Sequence, residues 1–323
     1  MSRTSVIIDC DPGIDDAIAL LAAFQAPQLH IEALTVVNGN RPLPITLRNA
    51  LQICDLAGRD IPVYGGCWQP MVREAIHGRF HGESGLGDCQ LPPPSRQAEQ
   101  QHAVEYLITR CRQAAADKQP IVLCALGPLT NIATALSMAP DIVDGIERLV
   151  LMGGAYRDNG NTTLYAEFNT FADPHAAGVI FRQALPITVL PLDVTHQVIL
   201  TPEQVTRLTA AAGRITPQLQ ELMASWDRND LLRYGSRGGP LHDPLVIAWL
   251  LQPDAFRSQS ASVTVELESR DALGRTTADW YGKTGRYANV EVVTGVDAER
   301  IFSVFYQLFS TYNEKQNDAT NYH

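Results

Sequence analysis

An acidic segment near the amino end constrains this chain more than any other part of its sequence. Residues Asp9–Ala17 read Asp-Cys-Asp-Pro-Gly-Ile-Asp-Asp-Ala and hold four aspartates within eight positions. The apolar run Val6–Ile8 predicts a buried strand before the segment, and Ala17–Leu21 predicts a helix after it. Four like charges at such a junction repel each other unless a cation or the positive end of a helix lies among them. Because the side-chain donors are carboxylate oxygens, the segment predicts a hard cation such as Ca²⁺ or Mg²⁺ at a functional site.

The spacing of these aspartates predicts different roles for them. Asp9 and Asp11 are two residues apart, so at the end of a strand both side chains point to the same side. The pair Pro12–Gly13 predicts a sharp turn. Asp15 and Asp16 then open the helix, where adjacent side chains diverge by about 100°. One of these two carboxylates is therefore expected to reach the metal ion and the other to face a ligand.

Short apolar runs alternate with helical patterns over the first two-thirds of the chain, which predicts an α/β fold with an open, mostly parallel sheet flanked by helices. The predicted strands are Val6–Cys10, Ile31–Val37, Ile121–Leu126, Leu149–Met152 and Ile187–Leu192. The predicted helices are Asp16–Phe24, Ile45–Ala57, Gln101–Ala116, Leu129–Met138 and Pro174–Gln183. Ligands of such sheets bind beyond the carboxyl ends of the strands, and the acidic segment, Asn38–Asn40, Gly127–Pro128 and Gly153–Gly154 all follow predicted strands. These segments are expected to converge on one site.

The rest of the chain predicts loops and a small late β segment within one domain. His77–Arg96 and Gly235–Pro240 are rich in glycine and proline and are predicted to be loops, the first of them near the site. The late β segment is expected at Val263–Leu267, Thr276–Tyr281 and Asn289–Val293, before a closing helix at Ala298–Tyr312. We expect a single domain over residues 1–312 and a polar tail over residues 313–323.

Composition argues against several classes of partner. The net charge of −10 argues against nucleic acid and anionic membranes, and no apolar run has the length of a membrane span. Met1–Thr4 leads directly into the first predicted strand, which leaves no room for a signal peptide, so a cytoplasmic location is expected. The six cysteines include no Cys-x-x-Cys pair, which predicts neither a zinc site nor a disulfide framework.

Two later segments carry the side chains that a metal-centred active site still needs. In Leu241–Pro244, Asp243 is able to complete an oxygen cage and His242 to donate a proton, although a His-Asp pair at a helix start also serves as a cap. In Ala166–Thr170, Glu167 and Asn169 join Asn161 as side chains suited to a polyhydroxylated ligand. An asparagine-rich turn is the alternative for this second cluster.

Five segments together resemble the inosine–uridine preferring nucleoside hydrolase family. They are Asp9–Ala17, Gly127–Ala133, Leu151–Gly154, Glu167–Asn169 and Leu241–Pro244, in the family's order and spacing over almost the whole chain. The resemblance implies an open α/β fold and a Ca²⁺-dependent enzyme, with one ion per subunit, that cleaves the N-glycosidic bond of ribonucleosides. It further implies nucleoside catabolism or salvage, a small-molecule nucleoside as the substrate, and a homodimer or homotetramer.

The resemblance also implies roles for individual residues. The Ca²⁺ ligands would be the carboxylates of Asp11, Asp16 and Asp243 and the backbone carbonyl of Leu126. Asp11 would also be the general base that deprotonates the attacking water, and His242 would supply a proton or hydrogen bond to the departing base. Asp9 would support the metal loop from behind. The positions that match ribose contacts are Asp15, Asn40, Asn161, Glu167 and Asn169.

Base preference rests on fewer residues. Pyrimidine-preferring members of the family carry a tyrosine eight residues before the motif histidine, where this chain has Tyr234, and a glutamine four residues earlier, where it has Asp230. His81 matches a pocket histidine of several subgroups and does not discriminate between them. The sequence therefore predicts pyrimidine ribonucleosides slightly ahead of a broad inosine–uridine range.

Two other functions compete with this interpretation. Phosphatases of the haloacid dehalogenase type also begin with Asp-x-Asp after a first strand, but Pro12–Gly13 follows Asp11 here and the chain has only three lysines, Lys118, Lys283 and Lys315. A non-catalytic Ca²⁺-dependent nucleoside- or sugar-binding protein would keep the cage of carboxylates. Such a protein would not need the proton donor His242.

Overall fold

The computed structural model describes residues 3–224 and 238–314, and all element bounds below refer to these residues. The strands are β1 Thr4–Cys10, β2 Leu29–Val36, β3 Val63–Gly65, β4 Ile121–Ala125, β5 Ile146–Met152, β6 Ile187–Leu190, β7 Ile199–Leu200, β8 Gly239–Pro240, β9 Phe256–Val265, β10 Thr276–Asp279 and β11 Val290–Val296. The helices are α1 Ile14–Ala23, α2 Leu43–Ala57, α3 Ala103–Asp117, α4 Thr130–Met138, α5 Phe168–Ala172, α6 Pro174–Ile180, α7 Leu192–Thr195, α8 Pro202–Ala211, α9 216–224, α10 Pro244–Leu251 and α11 Ala298–Glu314.

Nine strands form one sheet in the order β10-β9-β11-β6-β5-β4-β1-β2-β3. The strands from β11 to β3 pair in parallel, whereas β9 is antiparallel to both β11 and β10. The predicted open, mostly parallel sheet is therefore confirmed. The late β segment extends this sheet, because β11 pairs with β6 through Val290 and Ile187. A separate two-stranded sheet joins β7 to β8.

Helices cover both faces of the sheet because its central strands bury alternate side chains in opposite directions. On β1, Val6 and Ile8 pack into the core beneath α1, α2 and α8–α11, whereas Ile7 packs into the core beneath α3, α4 and α6. This two-sided burial explains why β1 reads as a continuous apolar run.

The order of the strands places the acidic segment at a topological switch point. From β1 the chain moves outward through β2 and β3, and it then returns to the other side of β1 as β4. The carboxyl ends of β1 and β4 therefore flank the crevice where open α/β sheets bind ligands. Leu126, directly after β4, donates its backbone N–H to the carbonyl of Asp9 at 2.8 Å, which holds the two strand ends together.

The predicted loop His77–Arg96 lies in an irregular connection between β3 and α3 that contains no helix or strand. The closing helix α11 runs to Glu314, slightly beyond its predicted end. Residues 315–323 of the predicted tail, and all of the predicted loop Gly235–Pro240 before Gly238, lie outside the described residues. Within residues 3–224 and 238–314, no helix has the length and apolar character needed to cross a membrane.

Candidate active site

The acidic loop between β1 and α1 is organised around the carboxylate of Asp16. Its Oδ1 accepts the backbone N–H of Asp11 at 3.1 Å, and its Oδ2 accepts that of Gly13 at 3.0 Å. The side-chain amide of Asn40 donates to Oδ2 as well, at 3.1 Å. Asp16 lies in the first turn of α1, where the positive end of the helix stabilises negative charge. The turn predicted from Pro12–Gly13 is thus closed by a carboxylate three residues further on.

Two glycines allow Asp11 to be buried beside this loop. An ideal Cβ on Gly127 would lie 2.4 Å from Asp11 Oδ1, and one on Gly39 would lie 2.1 Å from Oδ2. Any larger residue at either position would have to displace the carboxylate. Asp11 Oδ2 accepts the backbone N–H of Asn40 at 2.5 Å. Its Oδ1 is buried and accepts no hydrogen bond from the described residues.

The carboxylates of Asp15, Asp16 and Asp243 come together at this loop. One oxygen from each lies within 4.8 Å of the other two, and all three residues are buried. Burial, followed by the charges of Asp15, Asp16 and Asp11, raises the pKa of Asp243 well above its usual range. Burial also raises the pKa of Asp16 to about 6 and that of Asp11 well above its usual range. A bound cation would offset both the burial of these carboxylates and their mutual repulsion.

The donor set fits a divalent metal ion. It offers three buried carboxylates, the unpaired Asp11 Oδ1 and the nearby carbonyl of Leu126, so every available ligand is an oxygen. Oxygen-only ligation suits Ca²⁺ and Mg²⁺ and disfavours zinc and copper. The three-carboxylate group contains Asp15 and not Asp11, whereas the sequence predicted Asp11 as a ligand and Asp15 as a ribose contact.

Asp9 is buried at the end of β1 and contacts two neighbouring elements. Its Oδ2 accepts hydrogen bonds from Thr35 Oγ1 at 2.6 Å and from Asn131 Nδ2 at 2.9 Å. Asn131 also accepts the backbone N–H of Cys67 at 2.7 Å, so it connects β1 to the start of the irregular connection. Burial raises the pKa of Asp9 to about 7, although both hydrogen bonds lower it.

A cavity of about 480 Å³ opens above the carboxylates, and we call it the inner cavity. Its polar lining comprises Asp15, Asn40, His77, Arg79, His81, Asn161, Thr162, Glu167, Asn169, His242 and Asp243. Its other lining residues are Ile14, Ile76, Gly78, Phe80, Leu126, Met152, Phe168 and Phe171. Asp15 thus faces the inner cavity, whereas Asp11 and Asp16 lie fully buried beneath it.

Glu167 and Asn169 are held rigidly on one wall of the inner cavity. Glu167 caps α5, with Oε1 accepting the N–H of Asn169 at 2.7 Å and Oε2 accepting those of Gly154 and Thr170 at 3.0 and 3.1 Å. Asn169 Nδ2 donates to the carbonyls of Leu126 and Met152 at 2.7 and 3.2 Å. Because its amide hydrogens are used in this way, the side-chain oxygen of Asn169 is the atom left to accept a hydrogen bond.

His242 and Asn161 approach the inner cavity from other elements. His242 immediately precedes Asp243, the residue before α10, and its Nδ1 lies 2.8 Å from Thr195 Oγ1 at the end of α7. Asn161 Oδ1 accepts the backbone N–H of Phe168 at 2.8 Å, which orients its amide. His242 and Asn161 are far apart in the sequence and lie in different segments, yet both line the inner cavity.

Comparison with known proteins identifies the family to which this site belongs. Residues 6–303 match the family described as inosine-uridine preferring nucleoside hydrolase. The chain belongs to this family. It is a ribonucleoside hydrolase, a glycosylase that acts on small-molecule nucleosides, and the sequence-based identification is confirmed.

Individual relatives of this hydrolase differ in the base that their names specify. It is 40% identical over 300 residues to a pyrimidine-specific ribonucleoside hydrolase of Shigella sonnei, covering 93% of this chain and 95% of that one. It superposes on a purine-preferring ribonucleoside hydrolase of Gardnerella vaginalis with a TM-score of 0.89 at 31% identity, covering 97% and 100% of the two chains. A plant nucleoside hydrolase superposes with a TM-score of 0.87 at 30% identity, covering 95% and 99%.

Most of the predicted site residues of the hydrolase meet at the carboxyl edge of its sheet. Asp9, Asp11 and Asp16 lie beneath the inner cavity, and Asp15, Asn40, His81, Leu126, Asn161, Glu167, Asn169, His242 and Asp243 line it. Tyr234 lies outside the described residues, so its contact with the base stays a prediction.

Sequence reasoning assigned no role to Thr35, Asn131, Thr195, Gly39 and Gly127, which position the predicted residues. Asn131 and Gly127 lie in the segment Gly127–Ala133 that carried part of the resemblance, so a signal for them was present. Thr35 and Thr195 belong to no such segment, and their roles follow only from the packing of distant elements.

Proposed function

We propose that this hydrolase cleaves the N-glycosidic bond of ribonucleosides in a Ca²⁺-dependent reaction that releases ribose and the free base. One observation carries the proposal: buried carboxylates from two distant segments, Asp15–Asp16 and Asp243, meet within 4.8 Å at the floor of the inner cavity. Glu167 and Asn169, which line the same cavity, offer fixed acceptors for sugar hydroxyls. A metal-binding floor and a wall for hydroxyls together suit a ribose ring.

The carboxylates of Asp11, Asp16 and Asp243 and the carbonyl of Leu126 would hold the ion. Asp11 is included because its buried Oδ1 accepts no hydrogen bond from the described residues. Asp15 also belongs to the three-carboxylate group, so it is placed to reach either the ion or a ribose hydroxyl. When bound, a divalent cation supplies positive charge that holds and acidifies the attacking water.

Asp11 acts as the general base in this proposal. Its Oδ2 accepts the backbone N–H of Asn40, which holds the carboxylate in place beside the proposed ion site, where it would take a proton from the attacking water. The deprotonated water then attacks the anomeric carbon, and the bond from that carbon to the base breaks.

The remaining residues stabilise the charges that develop during bond cleavage. Glycoside hydrolysis passes through an oxocarbenium-like transition state, and the negative charge of Asp15 and Glu167 at the inner cavity favours that cation. Asn40, Asn161 and Asn169 orient the sugar hydroxyls. His242, whose Nδ1 contacts Thr195, gives a proton or hydrogen bond to the departing base.

Pyrimidine nucleosides such as uridine and cytidine are proposed as the preferred substrates. The relative of Shigella sonnei, at 40% identity, is named as pyrimidine-specific, and Tyr234 matches the tyrosine of pyrimidine-preferring members. The relative of Gardnerella vaginalis, at 31% identity, is named as purine-preferring, and it keeps a broad inosine–uridine range as the alternative. Equal kcat/KM values for uridine and inosine would favour that alternative.

We also propose that the enzyme is cytoplasmic and assembles as a homodimer or homotetramer. Both proposals rest on the sequence and on the family resemblance. Light scattering coupled to size-exclusion chromatography gives the mass of the assembly, and a monomer at working concentration would contradict the second proposal.

One assay tests the proposed reaction against its competitors. The protein is incubated with uridine, cytidine, inosine and a phosphate ester, before and after treatment with a Ca²⁺ chelator. We expect release of free ribose from nucleosides, loss of release with the chelator, and recovery when Ca²⁺ is restored. Unchanged turnover after complete chelation would overturn the metal dependence. Binding of nucleoside without turnover would instead support the non-catalytic nucleoside-binding protein.

A further inference from the structure

His81 makes a contact that its predicted role in binding the base does not require. Its Nδ1 accepts the backbone N–H of Ile14, the first residue of α1, at 3.1 Å. The first N–H groups of a helix have no partner within the helix, and Gly13, which precedes Ile14, has no side chain to supply one. Asp16 already accepts the N–H groups of Asp11 and Gly13. His81 therefore caps the N–H of Ile14, at the start of the helix turn that carries Asp15 and Asp16.

This contact fixes the position of the proton on the imidazole ring. A nitrogen that accepts an N–H hydrogen bond carries no hydrogen of its own, so the neutral ring is protonated on Nε2. The single polar hydrogen of the ring is then the one on Nε2. Any hydrogen bond that His81 makes to a nucleoside is donated from that atom. Full transfer of this proton would leave an imidazolate, so His81 is not a source of protons for the departing base.

The segment around His81 makes further contacts with the acidic loop and its surroundings. Asn49 Nδ2 on α2 donates both to the carbonyl of Pro12 at 3.0 Å and to that of Ser84 at 2.9 Å. Gly78 donates its N–H to the carbonyl of Asn40 at 3.2 Å. An ideal Cβ on Gly13 would lie 2.7 Å from His81 Nδ1, so the close approach of loop and ring depends on that glycine. These contacts tie residues 78–84 to Asn40 directly and to Pro12 in the acidic loop through Asn49.

We propose that His81 is a positioning residue: as the tautomer protonated on Nε2, it caps α1 through Nδ1 and so holds Asp15 and Asp16 in place for the metal ion. This inference rests on the proposed metal site, because it assigns His81 an effect on ion affinity. It differs from a role in base binding, which would act on nucleoside affinity alone.

Three substitutions distinguish the functions of the two ring nitrogens of His81. In His81→Asn the shorter amide can place its oxygen where Nδ1 accepts the N–H of Ile14. In His81→Gln the longer amide can place its nitrogen where Nε2 donates, while the cap is lost. His81→Ala removes both functions. His30→Ala, at an exposed position of β2, is the control for replacing a histidine elsewhere.

The first measurement is Ca²⁺ affinity by isothermal titration calorimetry without nucleoside, and the second is kcat and KM for uridine. We expect His81→Ala and His81→Gln to bind Ca²⁺ roughly tenfold more weakly than the wild type, as is typical when a group that orients metal ligands is lost. We expect His81→Asn to stay within roughly threefold of wild type in affinity and kcat, with its KM raised. Wild-type Ca²⁺ affinity in all three variants, or an affinity of His81→Asn equal to that of His81→Ala, would overturn the proposal.

A measurement on the unmutated enzyme guards against variants that do not fold. Nitrogen-15 NMR of histidine-labelled protein distinguishes the bare ring nitrogen from the protonated one, and the signal of His81 is the one missing in His81→Asn. If that variant does not fold, the same signal is assigned in wild type by its coupling to the amide hydrogen of Ile14. We expect Nδ1 to be bare and Nε2 to be protonated, and the opposite tautomer would overturn the proposal. If the wild type itself binds no Ca²⁺, the proposed metal site fails whatever the tautomer is.

Discussion

Two hollows of the described chain lie at opposite ends of the parallel strands. The inner cavity, of about 480 Å³, lies at the carboxyl ends of β1 and β4, whereas a groove of about 1090 Å³ lies where β6 and β11 begin. We call it the outer groove; Arg148, Arg182, Gly178, Thr264 and Glu291 are among its lining residues. Arg182 and the neighbouring Arg286 are exposed, whereas the carboxylates of the inner cavity are buried.

The inner cavity is the smaller of the two hollows, but its carboxylates are buried and lie close together. In the inner cavity, charges from segments more than two hundred residues apart repel each other out of contact with water, and their pKa values rise. In the outer groove, Glu291 accepts hydrogen bonds from serines on the adjacent strand, Ser258 and Ser260, and it is only partly buried. Matched substitutions in the two hollows test this difference.

The largest difference is expected between Asp11→Asn and Glu291→Gln, which remove one carboxylate from each hollow. Asparagine can keep an acceptor toward the N–H of Asn40, but it is not a base. We expect kcat for uridine to fall roughly 10³-fold, within the range for loss of a general base, and Glu291→Gln to keep wild-type kcat. Steady-state assays at saturating Ca²⁺ give both values. Full activity of Asp11→Asn would remove Asp11 from the role of base.

A steric test comes next and uses two glycines. In Gly127→Ala the new Cβ would lie 2.4 Å from Asp11 Oδ1, so the carboxylate must move, and we expect kcat/KM to fall roughly 10²-fold. In Gly178→Ala, on α6 at the outer groove, the nearest atom is Leu267 Cδ1 at an ordinary 3.4 Å, and we expect no loss. Circular dichroism and thermal unfolding report whether each variant folds. Equal activities would show that the position of Asp11 is not critical.

A smaller effect is expected from Thr195→Val, which removes the hydroxyl beside His242 Nδ1. Loss of one hydrogen bond should lower kcat roughly fivefold for uridine. A nitrophenyl riboside, whose leaving group needs no proton, should lose less. Thr195→Ser keeps the hydroxyl and should restore kcat, and Thr264→Val at the outer groove should leave it unchanged. The same loss for both substrates would argue against an acid role of His242.

The smallest effect concerns stability and pH. Burial raises the pKa of Asp9 from 3.8 to about 7 in the folded chain. The folded state therefore binds this proton more tightly than the unfolded state, so the contribution of Asp9 to stability is complete below about pH 4 and is lost as the pH rises to about 7. In chelator-treated protein, Asp9→Asn should flatten this part of the pH profile of the free energy of unfolding and should be more stable than wild type at pH 8. Urea unfolding at several pH values measures this, and parallel profiles would contradict it.

The pattern of the sequence predicted the elements whose own residues determine them. Each of β1, β2 and β4–β6 is an apolar run, and the helices between them have a clear period, so their existence required no knowledge of partners. The strands β7 and β8 have two residues each and no recognisable pattern. The addition of β11 to the parallel edge of β6 is a contact between residues about a hundred positions apart, which no local pattern encodes.

The residues of the site also fall into a group that the sequence predicted and a group that it did not. Asp11 and Asp16 were predicted because four crowded carboxylates repel each other without a cation, whereas the roles of Glu167 and Asp243 depended on the family resemblance. Their supports were not predicted, because a threonine such as Thr35 is also an ordinary strand residue. The predicted contrast between the adjacent aspartates stays a prediction: Asp16 lies beneath the inner cavity and Asp15 lines it, but both belong to the three-carboxylate group.

A single hydrogen bond near the carboxyl end bears on how the site comes into being during synthesis. Tyr312 on α11 is fully buried, and its hydroxyl donates to the carbonyl of Leu21 in the last turn of α1 at 2.9 Å. A carbonyl in the last turn of a helix has no N–H partner within that helix. The Leu21 carbonyl therefore gains this partner, and α1 its final packing, only when α11 has been made and packs against α1. The helix that bears Asp15 and Asp16 is among the first made by the ribosome and among the last to be completed. A nascent chain that stops short of α11 would leave that carbonyl, and the part of α1 that contacts α11, without their native partners.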